Sequence, residues 1–122
     1  MRDLPTGSEL RVLAEEWAAK IDAIPPEERA VALAMIKRCR AISDREEAAG
    51  EAALAPIRAA LAVLYDGDES SAALARLAAD IRGGKFDAPD DARERVRAVL
   101  HALTLQKLRE GNPRFLAAHG IE

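Results

Sequence analysis

Cysteine is almost missing from this chain of 122 residues: the single Cys39 excludes an internal disulfide and every multi-cysteine metal site. Aromatics are nearly as scarce, with one Trp, one Tyr and two Phe, and β-branched residues are sparse, so strands are disfavoured. The two histidines, His101 and His119, stand in no His-x-x-x-His or Glu-x-x-His pair, so the helical zinc and di-iron signatures are absent. No cofactor and no metal is expected. No apolar run approaches a membrane span, and Met1-Arg2-Asp3-Leu4-Pro5 is too polar for a secretory signal, which predicts a cytoplasmic protein. There is no surplus of positive charge either. Eighteen Lys and Arg against twenty-one Asp and Glu give a net charge of -3, with no global attraction to nucleic acid or anionic lipid.

What remains is a helix-forming mixture. The chain is 49% hydrophobic and 32% charged, a globular balance, and Ala is abundant. The length predicts one domain spanning residues 1–122, with no internal repeat, low-complexity tract or long linker. Helix punctuation is clear. Thr6-Gly7-Ser8-Glu9 reads as a capping box, and Leu10, Leu13, Trp17, Ile21 and Ile24 recur at helical spacing behind it. Pro25-Pro26 stops that first helix, and Trp17 is expected in the core.

Pro26 suits the first turn of a second helix, Glu27 and Glu28 suit its positive end, and Gly50 suits its C-cap. Its apolar stripe is Ala32, Met35, Ile36, Cys39 and Ile42, which makes Cys39 an inert core thiol. Leu54, Ile57, Leu61 and Leu64 mark a third helix that Asp66-Gly67-Asp68 ends. Leu74, Leu77 and Ile81 mark a fourth, closed by Gly83-Gly84. A fifth starts near Pro89 and runs to about Glu110. It is apolar on several sides through Val96, Val99, Leu100, Leu103, Leu105 and Leu108. Asn112-Pro113 caps a last short helix from Arg114 to His119. Short connections then predict an all-α bundle of five helices with a short sixth, neighbours mostly antiparallel.

The catalytic survey is negative. No nucleophile, base and orienting group recur in a recognisable arrangement, and Gly83-Gly84-Lys85 lacks the strand and spacing of a phosphate loop. A helix-turn-helix drawn through Asp66-Gly67 would push Asp66, Asp68 and Glu69 against DNA phosphates. Asp68-Glu69-Ser70-Ser71-Ala72 does not match the modifiable serine turn of an acyl carrier. The candidates that remain are charges standing in apolar register. Lys107 follows Val96, Leu100 and Leu103. Glu46 follows Met35, Cys39 and Ile42 with Arg45 beside it, and Arg114 stands near the capped turn of Asn112. Such charges are paired, snorkel past the core, or form a partner or ligand site.

These residues also carry a family resemblance. Arg2-Asp3-Leu4-Pro5, the segment from Arg40 through Arg45-Glu46 to Gly50, Ile81 to Asp87, and Lys107-Leu108 with Asn112 to Leu116 resemble a bacterial all-helical domain family. Its members stand beside, or are fused to, aminoglycoside-phosphotransferase-like kinases and acyl-CoA dehydrogenases. The match departs most between Asp22 and Lys37. The resemblance implies a setting in acyl-CoA metabolism and no reaction. The reading drawn from it is a non-enzymatic accessory domain that binds such a kinase-like or dehydrogenase protein, or a second copy of itself. Its surface would include Arg45, Glu46, Lys107, Asn112 and Arg114. The alternative is a binder of, or helper enzyme for, an acyl-CoA or phosphorylated acyl intermediate, with Arg45, Lys107 and Arg114 neutralising its anionic groups.

Overall fold

The computed structural model describes residues 1–122 and contains six α-helices and no strand. They are α1 (Gly7–Ala19), α2 (Pro26–Ala49), α3 (Ala55–Leu64), α4 (Ser71–Arg82), α5 (Asp91–Gly111) and α6 (Pro113–Ala118). The expected five long helices and short sixth are all present. Their starts follow side-chain chemistry. Thr6, Ser70, Asp90 and Asn112 each accept the N–H of the third residue beyond them, so four helix N-termini have a capped donor. No helix is long and apolar enough to cross a membrane.

The first helix is shorter than its apolar spacing predicted. It ends at Ala19, and Ile21–Ala23 form a 3-10 turn before Pro25 and Pro26. The chain forms two compact units, residues 2–50 and residues 51–122 together with Met1. In the first unit, α1 and α2 make an antiparallel hairpin. The start of α1 lies by the end of α2, where Arg11 bonds Asp44 and Glu47, both at 2.9 Å. Arg29 fastens the tip by donating to the carbonyls of Ile24 and Asp22.

The inward stripe of α2 runs through Ala32, Ile36, Cys39, Ser43 and Glu46, a spacing of four, three, four and three. Opposite it, Ala14 and Gly7 are the buried residues of α1. Small residues at the seam let two helices approach closely, and that closeness leaves the larger side chains outside. Trp17 is 54% exposed and Met35 63% exposed, against the expectation that both belong to the core stripe.

The second unit holds the larger core. Leu54, Ile57 and Leu61 from the α3 region meet Leu77 of α4 and Val96 and Val99 of α5. Tyr65, 7% exposed, closes that core and donates its hydroxyl to Asp80 at 2.7 Å. The Arg76 guanidinium lies 4.6 Å from the ring centre. Burial, then the bond to Asp80, pushes the phenol up to about 12, and the same bond holds Asp80 below the usual carboxylate range.

Candidate functional site

An open groove of about 460 Å³ runs along the α1–α2 hairpin. The sequence explains why it stays open. Leu13 and Trp17 of α1 and Val31 and Met35 of α2 stand on the same side of the seam, one turn apart on each helix, and nothing in residues 2–50 packs over them. Ala14 and Ile36 form the floor, Ile24 closes the tip, and Glu27 and Glu28 stand at its edge. No cation lines the groove. Trp17 and Ile24 also border a smaller recess that holds Glu16 and Lys20.

Cys39, expected as a core thiol, is half-buried: it sits on the inward stripe with one side on this groove. Leu13, Trp17, Val31 and Met35 expose between 41% and 65% of their surface and form one contiguous patch. Apolar patches of a few hundred Å² on a monomer mark interaction surfaces. In the sequence, Leu13, Trp17 and Met35 have a helical period that points them inward, whereas the structure leaves them at the surface.

The charged candidates fall in both units. Glu46, half-buried, accepts the Gly7 N–H at 2.7 Å. That bond satisfies an orphan donor and sets a negative charge at the positive end of α1. Arg45 is half-buried on α2. In the other unit, Lys107 is exposed, so it does not continue the inward register of α5. The inward register there is Val96, Val99, Leu103, Gln106 and Glu110. Gln106 donates to Glu110 at 2.6 Å with both residues buried. Sequence reasoning followed Leu100 and Lys107, one residue out of step. Extending the three-and-four spacing from Val96 and Val99 finds both buried polar residues. Asn112 is exposed and caps α6 through its contact with the Phe115 N–H, and Arg114 is exposed in the first turn of α6.

Chemically, the molecule offers no group of three or more His, Cys, Asp or Glu side chains that could hold a metal ion. Its two exceptional acid groups, Asp80 and Asp68, are held below the ordinary carboxylate range by Tyr65 and by Ser70 respectively. A lowered carboxylate is a poor general base, and Ser70 is itself the cap of α4. The groove offers a mostly apolar lining, with the carboxylates of Glu27 and Glu28 at its edge.

A family model described as Domain of unknown function (DUF6285) matches residues 22–115. The match takes in Asp22 to Lys37, where the resemblance was expected to be poorest, and leaves out Arg2 to Pro5, which was expected to carry part of it. No curated protein and no solved structure matches the chain. Since the family model covers most of the chain, through all of α2 to α5, the protein belongs to the DUF6285 domain family.

Proposed function

We propose that this protein is a non-enzymatic interaction module that docks another polypeptide on the groove of the α1–α2 hairpin. The observation that carries the reading is the exposure of Trp17, Val31 and Met35 in one apolar patch edged by Glu27 and Glu28. Large flexible or aromatic side chains held half out of solvent are the usual anchors of protein interfaces. The family resemblance nominates kinase-like proteins and acyl-CoA dehydrogenases as partners, with a second copy of the chain as the homotypic alternative.

Ligand binding is the second reading, because 460 Å³ falls within the range of small-molecule sites. Charge weighs against an acyl-CoA there. The phosphates of coenzyme A would meet Glu27 and Glu28 at the groove's edge, with no cation in its lining. Thermal unfolding with acyl-CoAs of graded chain length separates the two. A ligand at a hundred times its dissociation constant adds about 2.7 kcal/mol, several degrees in a domain of this size. The docking reading expects no shift that grows with chain length. It also expects Met35→Lys to weaken co-purification with a co-expressed kinase-like or dehydrogenase partner. A chain-length-dependent shift abolished by Met35→Lys would replace docking with acyl binding.

A further inference from the structure

The exposed side of α2 has a symmetry that points to its occupant. Glu28, Val31, Met35 and Arg38 follow one another at spacings of three, four and three, so they form a single stripe, and all four are exposed. The stripe is self-complementary. Glu28 and Arg38 are opposite in charge, Val31 and Met35 are both apolar, and each pair is centred on residue 33. Ile24 and Ile42, both half-buried, share that centre as well. A second α2 laid antiparallel across the first would set Glu28 against Arg38 twice, at the two ends, and Val31 against Met35 twice between them. Such mutual pairing is what a two-fold interface requires.

We infer that the groove of the α1–α2 hairpin is occupied by a second copy of this chain, its α2 antiparallel to the first about residue 33. The inference rests on the docking reading above and names its partner. Neither Glu28 nor Arg38 is used within the chain, since neither takes part in a salt bridge or side-chain hydrogen bond there. Helix α2 has 24 residues, about 36 Å of length, and the hairpin's α1 adds Leu13 and Trp17 to the same face. Two hairpins paired in this way form a four-helix arrangement that covers Leu13, Trp17, Val31 and Met35 on each side. The charges also disfavour the parallel alternative, which would bring Glu27 and Glu28 against their own copies and Arg38 against Arg38.

Sedimentation equilibrium and light scattering of the full chain test this over about 1–500 μM. The expected result is a monomer–dimer equilibrium, with Trp17 emission shifting to the blue as the dimer forms. Glu28→Arg and Arg38→Glu should each weaken the dimer about tenfold, from two pairs made repulsive. The variant carrying both exchanges should return to within about threefold of the wild type. Circular dichroism of the exposed-site variants confirms that each remains folded. Register is read separately in a Cys39→Ser chain. Val31→Cys and Met35→Cys proteins should cross-link when mixed, and neither should cross-link alone, since each residue lies about 6 Å along the axis from its own copy. A chain that stays monomeric throughout overturns the second-copy assignment and leaves the docking reading to the co-expression assay. A dimer untouched by Met35→Lys overturns the assigned face, and a charge exchange that does not restore affinity overturns the register.

Discussion

Replacing Gly7 by Ala tests how the hairpin seam is built. Alanine is ordinarily the better helix former by as much as about 1 kcal/mol, so the substitution is stabilising where space allows. Here an added Cβ would stand 2.5 Å from Glu46 Oε2 and 3.2 Å from its Cβ. The carboxylate must swing away and give up the 2.7 Å bond to the Gly7 N–H. A charge-assisted bond at a half-exposed helix start is worth about 1–2 kcal/mol, combining the cap and dipole contributions. Gly7→Ala should therefore destabilise the hairpin by about 1 kcal/mol, and Glu46→Ala by about 1–2 kcal/mol. Combined, they should be less than additive. With the carboxylate gone, only a tight Cβ contact remains, so Gly7→Ala should cost no more than about 0.5 kcal/mol in the Glu46→Ala background. Urea unfolding followed by Trp17 emission reads this unit directly, because the chain's one tryptophan lies in α1. At a slope of about 1–3 kcal/mol per molar, the single variants should lower the midpoint by about 0.3–2 M. An equal cost for Gly7→Ala in both backgrounds would refute the claim that the glycine is there to admit the carboxylate.

Three further outcomes concern burial and charge. Tyr65 is the chain's one tyrosine, so phenolate absorbance titrates it alone; the midpoint should lie near 12 and fall toward the ordinary value in Asp80→Asn, with burial keeping it above 10. Because the folded value is raised, this contribution to stability is complete below pH 10 and is lost as pH climbs through 12. Asp80 behaves in the opposite sense: its lowered folded value gives a contribution present above the ordinary carboxylate range and lost as pH falls through it, so Asp80→Asn should flatten the acid side of the stability profile. Leu61→Ala, at a residue with no exposed surface, should cost about 2–5 kcal/mol in denaturant unfolding, whereas Val31→Ala in the monomer should stay within about 0.5 kcal/mol.

The helix boundaries were legible because their signals are local. Thr6, Ser70, Asp90 and Asn112 satisfy donors three residues away, and Gly50, Gly83 and Gly84 end helices through their own backbone. The extension of α1 to Ile24 failed because apolar spacing continues through the 3-10 turn at Ile21–Ala23, whose residues share a side with the helix before it. Burial was harder to read. Apolar period puts every large residue of the stripe inside, but the α1–α2 seam buries a single large side chain, Ile36, among Gly7, Ala14 and Ser43. A narrow seam of small residues and a wide apolar stripe overlap in helical phase, so hydrophobicity alone ranks Trp17 and Met35 first. In the same way, Gln106 and Glu110 sit at core spacing and are polar, and a search for apolar residues passes over them. The groove was invisible for the same reason. Its lining looks like core until the partner helix is known to present only Gly7 and Ala14 as buried residues.

The anchoring of Arg2 bears on the order in which the chain assembles. Its guanidinium donates to the Gly50 carbonyl at 2.7 Å, joining the first and last residues of the 2–50 unit. Met1, one bond away, packs against the core formed by residues 51–122. In a flexible chain, bringing Met1 to that core, whose first member is Leu54, means closing a loop of about fifty residues or more, an entropic cost of about 3.5 kcal/mol. Once the hairpin has formed, that loop is already closed: Met1 is delivered beside the bond leading into Glu51. During synthesis the hairpin is complete several seconds before the C-terminus, at about 5–20 residues per second. A contact distant in sequence is thereby shortened before the rest of the core emerges, as if its contact order were lower than the numbering suggests.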